Sequence, residues 1–274
     1  MDESKTIGII SIKGGVGKTT AAVNLAASLA GIGKKTLVVD ANYSAPNLAL
    51  HLGLVKPEAA TIHDVLIGKT SIQKAIYEHE AGFHFIPGAL NPQPGKMDIF
   101  ALKKKLKELK NEYDVILIDS SPTLNNELLS TIIASDELLV VTSPDYPTLS
   151  CTIRAVKVAK NKNVKITGLV LNKKRGKSFE LKTEDIEELA EVPVIASIND
   201  DIKVLEALSE AMPSVITNPH SNSSIEYKKL ASALVGMEYK DTSFLGKLKS
   251  LLPFTREKHE VNRLVLSNGK KNIK

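Results

Sequence analysis

The eight residues Lys13-Gly14-Gly15-Val16-Gly17-Lys18-Thr19-Thr20 constrain this chain more than any other stretch. They follow an apolar run, IGIIS at 7–11, and lead into AAVNLAASLA, which reads as a helix. A strand that turns through glycines into a helix makes an anion cradle. Its glycines let successive backbone N–H groups point inward, and the helix N-terminus adds its dipole. Lys18 supplies a positive charge for β- and γ-phosphates. The Thr19 hydroxyl suits Mg²⁺, which keeps several waters and takes few protein ligands. Thr20 offers one more hydrogen bond to a phosphate oxygen. The common pattern G-x-x-x-x-G-K-[ST] fails by one residue, because its first glycine falls on Ile12 and a lysine stands at position 13.

Short apolar runs alternate with helical patterns along the chain. Strands are expected at 7–11, 36–40, 83–87, 114–119, 137–142, 166–172 and 192–197. Several are apolar at every position, as in a parallel sheet covered on both faces. Helices are expected at 18–31, 98–111, 147–161, 183–190, 201–211 and 223–236, with a proline-broken loop at 87–98. Strand–helix alternation of this length predicts one doubly wound α/β domain, a mostly parallel sheet flanked by helices, spanning 1–239. Residues 240–274 read as a separate element.

Composition narrows the setting. One cysteine, Cys151, excludes a disulfide framework and any paired-cysteine metal motif within the chain. No apolar run approaches the roughly 20 residues that span a bilayer. The acidic start, MDESKT, runs directly into a strand pattern, so no signal peptide is expected and a reducing cytoplasm is. Formal net charge is +5, and residues 240–274 hold nine basic and three acidic residues. The tail thus carries +6 and the body −1, which points to an anionic partner for the tail, membrane or nucleic acid.

The run KGGVGKTT resembles the deviant Walker A motif of the MinD/ParA class of ATPases, and the order of motifs matches that class over residues 5–237. The resemblance implies a P-loop NTPase fold, with ATP and Mg²⁺ bound, and a homodimer that forms on ATP. Lys13 would cross to the phosphates held by the partner subunit. Two strand-end aspartates fit the class. Asp119, in Asp119-Ser120-Ser121-Pro122, resembles its switch II. Asp40 opens a segment, 40–48, that resembles its switch I. An acidic residue at the carboxyl end of a parallel strand faces the ligand crevice. By resemblance Lys13, Lys18, Asp40, Asn42 and Asp119 are the catalytic set, and Thr19, Asp40 and Asp119 serve the metal. Many members carry Asp-x-Asp in switch I, whereas this chain has Asn42 at the second place. An amide accepts a hydrogen bond from water but takes up no proton, so slow hydrolysis is expected. Asn172 ends a strand and offers a donor and an acceptor that suit the edge of adenine. The resemblance supports that role and adds Asn199, in the segment that closes over the base.

Within the tail, Phe244, Leu245, Leu248, Leu251 and Leu252 form one apolar stripe of a short basic helix, 243–254, with Ser243 to cap it and Pro253 to stop it. Such a helix suits the plane of an anionic bilayer surface, and it resembles the membrane-targeting helix of MinD proteins. The MinD-like reading is an ATPase, cytoplasmic and peripherally membrane-bound, that positions cell-division or other assemblies through an activating or cargo protein. Two alternatives stand beside it: a ParA-like partitioning ATPase that binds DNA without sequence preference, against which the near-neutral body argues, and a nucleotide-binding scaffold with little hydrolysis. Val261–Leu266 reads as a strand or a partner-binding stretch.

Overall fold

A computed structural model describes residues 4–92, 95–239 and 257–271. Eight strands form one sheet: β1 (Lys5–Ile10), β2 (Thr36–Ala41), β3 (Tyr77–Glu78), β4 (His84–Ile86), β5 (Val115–Ser120), β6 (Glu137–Thr142), β7 (Lys165–Lys174) and β8 (Val194–Asn199), in the order β3-β4-β2-β5-β1-β6-β7-β8. Every pairing is parallel except β3 with β4. Strands β2, β5 and β6 are buried at all six positions, as both faces of the sheet are covered.

One face carries α1 (Lys18–Gly31) and α10 (Asn222–Leu234), joined through a core that includes Leu25, Leu29, Tyr227 and Leu230. The other face carries α3 (Ile62–Leu66), α4 (Leu102–Lys107) and α5 (Asn126–Ala134) over one half, and α6 (Tyr146–Asn161) with α7 (Thr183–Ala190) over the other. Three shorter or marginal helices complete the set: α2 (Leu48–His51), α8 (Ile202–Ser209) and α9 (Ser214–Thr217). The chain leaves β1 toward one edge of the sheet and later fills the other side through β6, β7 and β8, so the strand order reverses beside β1. Crevices at such reversals, outside the carboxyl ends of the strands, are where ligands bind in open α/β sheets.

The seven expected strands are all present. The eighth, β3, is two residues long, too short for alternation to show. The helix expected at 98–111 is a 3₁₀ turn, Ile99–Ala101, followed by α4. The amphipathic stretch 243–254 lies outside the described residues. Val261–Leu266, expected as a strand or partner-binding stretch, instead lies within a C-terminal helix, Lys258–Lys271, that packs on β8 and α10. Its buried residues are polar: His259, Arg263 and Ser267, spaced i, i+4, i+8 on one face. Both His259 and Arg263 bond the buried Glu226 carboxylate, at 3.2 Å and 2.5 Å. Asn262 bridges Glu187 Oε1 and Val194 O, and Lys258 pairs with Glu187. The described part of the tail is thus attached to the domain by an ion-pair and hydrogen-bond network.

A candidate nucleotide site at the carboxyl end of the sheet

The loop after β1 turns into α1 through Gly17, whose φ of 95° is left-handed. A Cβ there would stand 2.3 Å from Asn172 Nδ2, so glycine is needed for conformation and for space. No side chain caps the start of α1. Its first N–H groups therefore face the crevice with their partial positive charge. A cavity of about 280 Å³ opens there, lined on one side by Gly14, Gly15, Gly17, Lys18, Thr19 and Thr20. Asn42, Asn172 and Asn199 line it too, so the loop and the three asparagines expected around one ligand are brought together. Val16 is buried under the loop, and its carbonyl accepts a 2.8 Å bond from Asn172 Nδ2 that ties β7 to the loop.

Strands β2 and β5 pair with Asp40 directly opposite Asp119. Both side chains are buried, but they do different things. Thr19 Oγ1 donates to Asp119 Oδ2 at 2.6 Å, while Asp119 Oδ1 is buried and accepts nothing. Burial pushes the Asp119 carboxyl up to about 6, against the Thr19 bond and the Lys18 charge. Burial likewise pulls the Lys18 ammonium below the usual lysine range, with Asp119 opposing. Asp40 accepts three backbone N–H bonds, from Asn42, Asn47 and Leu48, each at 3.1 Å. Even so, burial and the nearby Asp119 push it up to about 7. Asp40 thus sits behind the cavity and shapes the segment 42–48, which it folds into the start of α2.

An orphaned buried carboxylate oxygen beside a threonine hydroxyl and a buried lysine fits Mg²⁺ and a phosphate chain. Asp119 and Thr19 are oxygen donors of the right hardness, and the few protein ligands suit an ion that keeps its waters. Asp40 is less available, since its oxygens are already engaged by backbone. Among the described residues no cluster of three or more His, Cys, Asp or Glu is placed to hold a metal by itself.

Lys13 stands to one side. Its ammonium donates to Thr148 Oγ1 at 2.9 Å and pairs with Asp145 at 3.4 Å, with about two-fifths of the side chain exposed. Asp145 caps α6 by accepting from Thr148 N. Partial burial works to raise its carboxyl, but hydrogen bonds from Ser143 and Thr148, with the Lys13 charge, hold it at about 2. Asn42 donates its amide nitrogen to Ala45 O, which leaves the amide carbonyl as its acceptor.

Several lining residues were not expected. The Asn47 side-chain amide lies 3.0 Å from Thr19 Oγ1, and His51 follows it one turn later on α2. Val204, Leu205 and Leu208 on α8 give the far wall an apolar rim, with Leu205 and Leu208 exposed. Asp201 caps α8 by accepting from Lys203 N at 3.0 Å, and it also accepts from Ser223 Oγ. Asn47 was within reach of the sequence, since it lies inside the segment 40–48. The apolar rim could not have been found that way, because Ile202, Leu205 and Leu208 look like an ordinary core face.

The fold and this crevice define a P-loop nucleotide-binding domain. A family model described as AAA domain matches residues 4–166. An uncharacterized ATP-binding protein of Methanocaldococcus jannaschii is 34% identical over 253 residues, covering 88% of this chain and 94% of that protein. Two solved structures share the fold. The cell division ATPase MinD of Pyrococcus furiosus is 34% identical with a TM-score of 0.78, covering 84% of this chain and 97% of that one. The septum site-determining protein MinD of Pyrococcus horikoshii, complexed with Mg-ADP, is 31% identical with a TM-score of 0.78, covering 91% and 100%. The chain belongs to the MinD/ParA family of deviant Walker A ATPases.

Proposed function

We propose that this protein is an ATP-driven dimerisation switch of the MinD type. It binds ATP with Mg²⁺, pairs with a second copy, attaches to an anionic membrane through residues 243–254, and there positions other proteins. The observation that carries the reading is the set of Lys18, Thr19 and the half-partnered Asp119 around one glycine turn, with Lys13 beside it on the surface.

The backbone of Gly14–Thr20 and the Lys18 ammonium orient the phosphate chain. Thr19 and Asp119 are the residues that would hold Mg²⁺, which when bound neutralises charge on the phosphate oxygens. Asn42 accepts a hydrogen bond from the attacking water and so positions it. Water adds to the γ-phosphorus as the bond to the β-bridging oxygen breaks, giving ADP and phosphate; the water's proton ends on an oxygen of the released phosphate, since the amide at position 42 does not take it up. Lys13 leaves Asp145 and Thr148 and reaches across to the partner's phosphates. That move supplies a second positive charge only in the dimer, so nucleotide state and dimer state are linked.

Membrane residence follows from valency. Five apolar side chains at roughly 1.5–3 kcal/mol each are offset by the ordering of about ten residues, so one copy binds weakly and two bind well. Among the described residues no helix is long and apolar enough to cross a membrane.

Light scattering after size exclusion tests the reading, with ATP, ADP and no nucleotide, on wild type and Lys13→Ala. A doubled mass only for wild type with ATP is expected. A monomer in all three states overturns the switch. Co-sedimentation with anionic liposomes tests the second part, and equal pelleting in ATP and ADP counts against it.

A further inference from the structure

Two neighbouring parallel strands deliver two loops side by side at the carboxyl end of the sheet. Strand β2 runs into switch I at Asp40. Strand β4, paired with it from Leu37–His84 to Val39–Ile86, runs into the loop that starts at Pro87. The loops pack closely: a Cβ on Gly88 would collide with the Pro46 ring of switch I. Helix α3 lies against both, its start fixed by the Thr61–Asp64 capping box.

His63 on α3 is 5% exposed, and it bonds each loop with one ring nitrogen. Nδ1 accepts from Ala89 N at 3.0 Å, and Nε2 stands 2.9 Å from Tyr43 O. An amide N–H only donates and a carbonyl only accepts, so the partners fix one neutral tautomer, with the proton on Nε2. An imidazolium does not fit, because a proton on Nδ1 would face the Ala89 N–H. Burial also pulls the ring below the ordinary histidine range, against the Tyr43 carbonyl and the Asp64 and Glu127 carboxylates. Ile62 N adds a 2.9 Å bond to Pro87 O, so α3 grips the second loop twice.

A buried histidine with two partners is ordinary. The segments joined by this one are not. Tyr43 follows Asn42, which lines the nucleotide cavity, and precedes Ser44, whose N–H donates to Glu127 Oε1 at 3.1 Å. Pro46, held by Gly88, precedes Asn47, which lines the cavity and lies 3.0 Å from Thr19 Oγ1. A shift at the Tyr43 carbonyl or in the loop 87–89 therefore moves both cavity asparagines.

We propose that His63 is the positioning residue of switch I: it fastens Tyr43 and the loop 87–89 to α3 and so sets where Asn42 and Asn47 stand. Its effect on turnover rests on the ATP hydrolysis proposed above; its effect on the segment does not.

Hydrogen exchange in the nucleotide-free, full-length protein reads the segment directly. In His63→Leu, which keeps bulk and loses both ring bonds, the amides of 42–48 should exchange about tenfold faster, while those of the phosphate loop and β5 stay unchanged. His63→Gln keeps a donor toward Tyr43 O and should restore most of that protection. ADP affinity should hold within about twofold in both variants, while kcat for ATP falls about tenfold in His63→Leu and recovers in His63→Gln, as misplacing a positioned group slows reaction more than binding. Protection lost across the whole sheet, affinity lost together with turnover, or a glutamine variant no better than the leucine one overturns the proposal. The ring nitrogen chemical shifts of His63 in the wild type need no variant. They should show the proton on Nε2 alone, and a protonated Nδ1 at neutral pH overturns the proposal too. If the segment loosens as described but the wild type hydrolyses no ATP, the positioning stands and the hydrolysis reading falls.

Discussion

Asp119 and Glu226 are both buried carboxylates, and they differ in what surrounds them. Glu226 has the Arg263 guanidinium and the His259 ring as side-chain partners, and a backbone donor at Ser197. Burial works to raise its carboxyl, yet those partners hold it at about 2. Asp119 has one hydroxyl and one buried lysine whose own charge is disfavoured, and it stands opposite Asp40; burial takes it to about 6. The first centre is complete within the chain. The second is short of positive charge, which a divalent cation beside Thr19 and Asp119 would supply. Burial of a charge therefore does not by itself mark function here; the missing partner does.

The largest effects should separate the two centres in opposite directions. Asp119→Asn is expected to lower ATP hydrolysis by roughly 10²–10³-fold, as loss of a transition-state electrostatic contact does. The nucleotide-free protein should melt no lower than wild type, because an under-neutralised buried charge has gone. Steady-state hydrolysis and thermal unfolding check both halves, and a marked loss of melting temperature would place Asp119 with the structural carboxylates. Glu226→Gln should do the reverse. It leaves the buried Arg263 guanidinium with only its longer contact to Glu260, at 3.8 Å, a loss of about 3 kcal/mol, the low end for a broken buried pair. Hydrolysis per folded molecule should stay unchanged, since Glu226 touches no part of the cavity wall that holds phosphate.

Acid titration sharpens the same contrast. The folded carboxyl of Glu226 lies at about 2, below its ordinary value of 4.5. Its stabilising effect is therefore complete above about 4.5 and is lost as pH falls from there toward 2. Wild type should lose stability across that window by chemical unfolding, and Glu226→Gln should show a shallower slope there. Parallel slopes in the two proteins would mean that other groups set the acid limb.

The contrast also explains what could be read from residues alone. Strands β2, β5 and β6 are buried throughout and carry unbroken apolar runs, Leu37–Val39, Val115–Ile118 and Leu138–Val141, because both sheet faces are covered, so those runs report them directly. The glycine turn and its lysines are legible because few chemistries need that spacing. Asp40 was legible as a strand-end acid but not as the residue that holds three backbone amides of switch I, since those bonds exist only after the chain has turned. The C-terminal helix was misread for a related reason. Its fully buried residues, His259, Arg263 and Ser267, are polar, while Val261, Leu264 and Val265 are exposed and Leu266 alone of that apolar run packs on the core, so the hydrophobic pattern does not report the face that packs. The cavity's apolar rim, Leu205 and Leu208, escaped because a helix end over a ligand and a helix over a core carry the same residues.

The smallest effect concerns Asn42, which lines the cavity. Asn42→Asp changes no volume, keeps an acceptor for the water, and adds a negative charge that favours proton loss from it. The gain should be a few-fold, because a loose phosphoryl-transfer transition state needs the water placed more than deprotonated. A drawback accompanies it. Asp40 Oδ1 already accepts from the position-42 backbone, and Asp119 stands opposite, so a third carboxylate raises the local negative charge. The nucleotide-free variant should therefore be slightly less stable than wild type, and added Mg²⁺ with ATP should reverse that difference. Single-turnover hydrolysis alongside thermal unfolding separates the two effects. If turnover does not rise while stability falls as described, position 42 faces the charge cluster but not the water.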